Sequence, residues 1–163
     1  EMKALFFFCA ALIITVSYAD SGICDSRWSK DQMSPCPQNI CTGGDAVWCL
    51  ASGLQDLGYG IDTGKLNRIF VTRGAYSGNC DVDWNAVENV GAVRYVGTKQ
   101  LFYNQACADV YHRYVLVALI HREGNRPVLV TSCDGLGNYR VRDPRNQRTT
   151  VNHLEASKFI IFA

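Results

Sequence analysis

The chain has almost no net charge, few histidines and one long apolar run, and each scarcity removes a class of function. Lysine and arginine number 16 against 15 acids, for a formal net charge of +1. The basic residues are scattered among the acids, which argues against a nucleic-acid or anionic-membrane surface. Only three histidines are present, at His112, His121 and His153. No closely spaced cysteine pair is matched by closely spaced histidines, so a structural zinc site is not expected, and no other metal or cofactor is implied. No Asn-x-Ser/Thr sequon occurs, so N-glycosylation is not expected. There is no internal repeat, low-complexity stretch or linker.

The apolar run is at the N-terminus. Met2 and Lys3 precede residues 4–16, and Ser17, Tyr18 and Ala19 supply the small residues of a cleavage site. This reads as a signal peptide over residues 1–19, too short to span a bilayer comfortably. Export is therefore expected, with no membrane span. Of the eight cysteines, Cys9 falls in this leader. The other seven are an odd number in an oxidising compartment, so at least one is free, modified or bonded to another chain.

Residues 20–40 are polar, with Pro35, Pro37 and three cysteines nearby, and read as an arm pinned by disulfides. Residues 42–57 carry Ala46, Leu50, Leu54 and Leu57 at helical spacing, widened by Val47 and Ala51. Thr42 or Asp45 is the expected cap, and Gly58 and Gly60 the stop. Asp62 should cap a helix carrying Leu66, Ile69 and Phe70, and Asp83 a helix over residues 84–90. A brief strand is expected at 93–96, then a helix near 99–110 capped by Thr98. The pattern then changes period. Residues 114–120 are continuously apolar, as in a central strand. Further strands are expected at 127–132, 139–142, 149–151 and 159–162, with turns at 122–125 and 134–138. Helices followed by an antiparallel meander make an α+β domain.

Several words in this order resemble the papain-like superfamily of cysteine peptidases, in its branch of bacteriocin-leader (double-glycine) peptidases. They are the Leu/Ala-rich helix ending in Leu57-Gly58, the Gly74 loop leading to Asp83-Trp84, the strand Arg126-Pro127-Val128-Leu129-Val130-Thr131, and Asp143-Pro144. The resemblance covers roughly residues 38–162 and implies a papain-like domain over 41–163, helices packed on an antiparallel sheet. It places the nucleophilic cysteine at Asp45, the general-base histidine at Arg126, the orienting residue at Asp143 and the oxyanion glutamine near Gln38 or Asn39. Aspartate is no useful nucleophile, and arginine stays protonated. A thiol and an imidazole act as a unit, so losing both removes the chemistry. The resemblance thus implies a degenerate peptidase that binds a peptide or protein in its former groove. An Asp45–Arg126 ion pair is the expected plug, with Asp45 capping its own helix as the alternative.

Two other functions remain open at this level. Cys41, one turn before Asp45 and just after Gln38, is an alternative nucleophile with His121 as base. Against it, Gly43-Gly44 makes a poor first turn and Cys36 is a nearby disulfide partner. The odd cysteine is also compatible with a disulfide-linked dimer or a structural, matrix-type protein. The remaining candidates have plainer explanations. Cys49 suits core packing or a disulfide, and His112 and His153 suit surface or capped histidines. Asn79, Asp81 and Asp83 show no calcium-loop spacing. Trp28, Trp48, Trp84, Tyr76, Tyr95 and Tyr103 suit an aromatic core as well as a groove. Arg140, Arg142, Arg145 and Arg148 read as a solvated strand face.

Overall fold

The computed structural model describes residues 30–163. The expected leader, Cys24 and Trp28 lie outside these residues. The architecture is α+β, with four helices on a seven-stranded antiparallel sheet. The helices are α1 (Ile40–Gly43), α2 (Asp45–Asp56), α3 (Thr63–Thr72) and α4 (Tyr103–Tyr111). The strands are β1 (Asn89–Val90), β2 (Val93–Lys99), β3 (Val115–Ile120), β4 (Arg126–Cys133), β5 (Asn138–Arg142), β6 (Thr150–Asn152) and β7 (Ala156–Phe162). Their spatial order is β1-β2-β7-β3-β4-β5-β6, so the last strand inserts between β2 and β3. No helix among the described residues is long and apolar enough to cross a membrane.

Both faces of the sheet are covered, which is why residues 114–120 show no alternation. Val115 and Val117 belong to one core with α2, α3, Ile160 and Phe162. Leu116, Ala118 and Ile120 belong to another, with Ala106 of α4, Tyr139, Phe159 and Ile161. A strand buried on two sides needs apolar residues at every position. Helix α2 lies close on β3 and β4 because Gly53 has no side chain: a β-carbon there would run into Val115 and Leu129. Trp48, Tyr76 and Trp84 sit in the first core, where Trp84 meets Phe70 and Phe162 edge-on. Tyr103 and Tyr139 pack in the second. Disulfides Cys36–Cys80 and Cys107–Cys133 tie the arm to the loop after α3 and α4 to the end of β4.

Asp62 caps α3 through Lys65 N–H, and Gly58 (φ +91°) leaves α2 in the left-handed region. Other expectations need correction. The helix expected at 84–90 is a 3-10 turn over Trp84–Val87, which Asp83 does cap, followed by β1. Gly91 (φ +64°) turns β1 into β2 instead of stopping a helix. Thr98 caps nothing: it lies within β2, which pairs with β7 as far as Lys99, and α4 begins only after Phe102. The pairing partner, distant in sequence, decides that segment. Cys36 is bonded to Cys80, so it is not the partner expected for Cys41.

Candidate functional site

The N-terminus of α2 faces the start of β4 and the loop after β5, and seven charged side chains meet there. The helix starts at Asp45 because Gly44 closes α1 with its N–H on Ile40 O. Asn39 and Thr42 satisfy each other in a capping box on α1. Neither Thr42 nor Asp45 caps α2, whose N-cap is Gly44 with no side-chain bond. Asp45 is instead the first helical residue, where the helix dipole favours its carboxylate. The Gln38 carboxamide fills the space a β-carbon on Gly43 would need, so Gln38 does sit against this helix start.

Asp45 is paired, but with a different arginine from the one expected. Arg145 Nε donates to Asp45 Oδ1 (2.8 Å) and Oδ2 (2.6 Å), and its Nη2 donates to Thr42 O (2.9 Å). Arg126 turns to Asp143, donating from Nη1 to Oδ1 (2.5 Å) and from Nη2 to Oδ2 (2.9 Å). This is a bidentate fork on a carboxylate whose side chain has no exposed surface. Arg126 also donates to Glu123, Arg148 joins Glu123 (2.7 Å) to Glu155 (3.0 Å), and the chain of alternating charge ends there. The direct Asp45–Arg126 pair is thus replaced by two pairs sharing one loop. Asp143 Oδ1 accepts the backbone N–H of Arg145 (2.8 Å) and of Asn146 (2.9 Å), which aims Arg145 back at Asp45.

The electrostatics follow from these bonds. Burial pushes the Asp143 carboxyl up, but the bonds from Arg126, Asn146 and Arg145 outweigh it and hold it below the ordinary carboxylate value. Arg148 draws the Glu155 carboxyl down. The bond to Asp143 raises Arg126 above its already high value, so it cannot accept a proton. Cys49 lies one turn below Asp45, completely buried. Burial, and then the charges of Asp45 and Asp143, push its thiol well above the usual value, against weaker pulls from Arg142 and Arg126. A neutral, inaccessible thiol is neither a nucleophile nor able to bond to another chain without opening the core.

The alternative pair is placed less favourably. Cys41 is half-buried in α1, a helix of only four residues. His121 is exposed in the β3–β4 turn; Ile120 pairs with Arg126, so His121 stands at the same end of the hairpin as Arg126. His153 holds Gly137 O (2.9 Å from Nδ1), and His112 closes α4. Among the described residues no three His, Cys, Asp or Glu side chains are grouped to hold a metal ion.

Of the arginine-rich segment, Arg140 is an exposed strand residue as expected, but the other three form ion pairs. Arg142 pairs with Asp56, Arg145 with Asp45 and Arg148 with Glu123 and Glu155. Sequence reasoning missed Glu123, Arg145, Arg148 and Glu155 as members of this site. The three-residue spacing of Arg142, Arg145 and Arg148 around Asp143 was the available signal, but Asp45 lies 100 positions from Arg145. Comparison with family models, with curated proteins and with solved structures finds no match for this chain.

Proposed function

We propose that this chain is a secreted, papain-like domain that has lost peptidase chemistry and acts by binding a peptide or protein partner. The partner would lie across the start of α2 and the neighbouring end of the sheet at Arg126 and Asp143. One observation carries the reading. A carboxylate bonded to Arg145 occupies the helix-opening position, and an arginine bonded to Asp143 opens the facing strand. A thiol and an imidazole at those positions would make a nucleophile, whereas two ion pairs make a polar, preorganised surface without either group. The Arg145 side chain is 36% accessible, so a ligand lying across the start of α2 would meet a cation there. Two disulfides fit an oxidising, extracellular destination.

A displayed peptide library panned against the full chain tests this reading. Enriched sequences should lose binding to the Asp45→Ala/Arg145→Ala variant. Enrichment indifferent to that variant would place binding elsewhere and defeat the proposal. Iodoacetamide labelling without denaturant separates the active-enzyme reading: native labelling and peptide hydrolysis, both abolished by Cys41→Ser, would replace the binding reading with catalysis.

A further inference from the structure

Helices α2 and α4 cover the two faces of the sheet and are held there by different means. Helix α2 buries nine of its twelve residues. Helix α4 buries only Ala106 of its nine, although among the described residues no other helix enters the second core. The large side chains at its ends do not hold it: Phe102 is 81% exposed and Tyr111 83%. Tyr103, Cys107 and Val110 are partly buried against the sheet. Nine residues make too short a helix to persist without tertiary support. Phe102 at its N-cap has no side-chain oxygen, and Arg113, just past its end, takes φ +65°, where glycine would be less strained.

Two attachments stand out. The Cys107–Cys133 disulfide fastens the middle of α4 to the end of β4. One turn earlier, the Tyr103 hydroxyl donates to Asp134 Oδ1 (3.3 Å) and accepts the Gly135 N–H (2.9 Å). Both reach residues 133–135, so the helix is moored to one short stretch of chain.

We propose that Cys107–Cys133 is a redox-sensitive latch. A dithiol reductant opens it, α4 leaves the sheet, and the apolar face carrying Leu116, Ala118, Val128 and Val130 meets water. Helix α4 packs on β3 and β4, the strands that bear these residues. The sheet stays folded, because α2 and α3 pack with the core on its other face. Access separates this bond from the other one. Cys107 and Cys133 are both partly exposed, whereas Cys36 is 4% exposed within the first core and its sulfur accepts the Gln38 N–H (3.3 Å). In the reaction, a thiolate of the dithiol attacks one sulfur of the pair and the other leaves as a thiolate. The reductant's second thiol then displaces the mixed disulfide. Cys107 and Cys133 end as thiols, having taken two electrons and two protons, and the dithiol ends as a disulfide. The latch lies on the face of the sheet opposite α2, and the inference does not rest on the function proposed there.

Stepwise reduction of the full chain tests it. Accessible thiols are blocked first, dithiothreitol is raised in steps, and each new thiol is alkylated and located by mass spectrometry. Cys107 and Cys133 should be labelled while Cys36 and Cys80 are still bonded. At that stage amide exchange over residues 106–113 should quicken about a hundredfold, with α2 and α3 still protected and anilinonaphthalene sulfonate fluorescence raised. Replacing dithiothreitol by glutathione disulfide before alkylation should restore protection. The Cys107→Ser/Cys133→Ser variant should show the same exchange without reductant. Reduction of Cys36–Cys80 first or at the same step overturns the proposal. So does an opened Cys107–Cys133 pair with α4 still protected, or a loss of protection in α2 together with α4, which would be global unfolding.

Discussion

Asp134 and Asp143 perform the same local task in different surroundings. Each accepts two backbone N–H groups from residues just ahead of it: Leu136 and Asn138 for Asp134, Arg145 and Asn146 for Asp143. Around Asp134 the other bonds are neutral, from Tyr103 and Asn138, and no salt bridge forms. Those hydrogen bonds, the Asn138 amide first, draw its carboxyl down to about 2. Around Asp143 the side chain is sealed off and a guanidinium grips both oxygens. The difference follows from solvation. Water stabilises the charge at the open turn, whereas the buried carboxylate needs a fixed cation. One turn thus holds its charge open to water, and the other supports a seam of opposite charges.

Breaking the buried pair should have the largest effect. Arg126→Ala leaves Asp143 ionised with no cation, and such losses cost about 3–5 kcal/mol. In a domain of this size that corresponds to a fall in Tm of roughly 10 °C, measurable by calorimetry. A loss under about 1 kcal/mol would mean that Asp143 is better hydrated than its burial implies. A double-mutant cycle with Asp143→Asn should show strong coupling, because the two residues act as one unit.

Acid should find the same weak point. The folded Asp143 and Glu155 carboxyls titrate below their ordinary values, so the unfolded chain binds protons first as pH falls. Their contribution is complete above the unfolded carboxylate range, near pH 4, and drains away below it as pH falls through the folded values. Denaturant midpoints should therefore be level on this account from neutrality to about pH 5 and fall below pH 4. In Arg126→Ala the fall should be shallower. An equally steep fall in that variant would assign the acid lability to other carboxylates.

The more exposed half of the seam should matter less. Arg145→Ala removes from Asp45 a cationic side chain about one-third exposed, and about 1 kcal/mol is expected, screened further by salt. Urea titration at low and high ionic strength measures both. Because Asp143 holds the loop through backbone N–H groups, the loop should keep its course in this variant.

This division also explains what could be read from the residues alone. The run at 114–120 announced β3, and Asp62 and Gly58 marked helix ends, because those signals are local. The longer β2 was hidden because its last residues are extended only by pairing with β7, some sixty positions away in the chain. Asp45 and Arg126 stood out because the resemblance puts a thiol and an imidazole at those positions, and Asp143 because it matches the orienting residue. The other members of the site did not, since Arg145, Arg148, Glu123 and Glu155 look like ordinary surface charges until the fold brings them together.

The smallest effect is the most discriminating. Asp134→Asn keeps one oxygen for the N–H groups of Leu136 and Asn138, and removes the charge and the acceptor of the Asn138 side-chain amide. The turn should survive, with amide exchange at Leu136 and Asn138 close to that of the parent chain. Asp134→Ala removes the acceptor, and exchange at those two amides should rise while the rest of the sheet stays protected. At Asp143 the order differs: asparagine should damage nearly as much as alanine, because there Arg126 requires the charge itself. If Asp134→Asn proved as costly as Asp143→Asn, the contrast between a solvated turn and a sealed one would fail, and the two aspartates would need a common explanation other than burial.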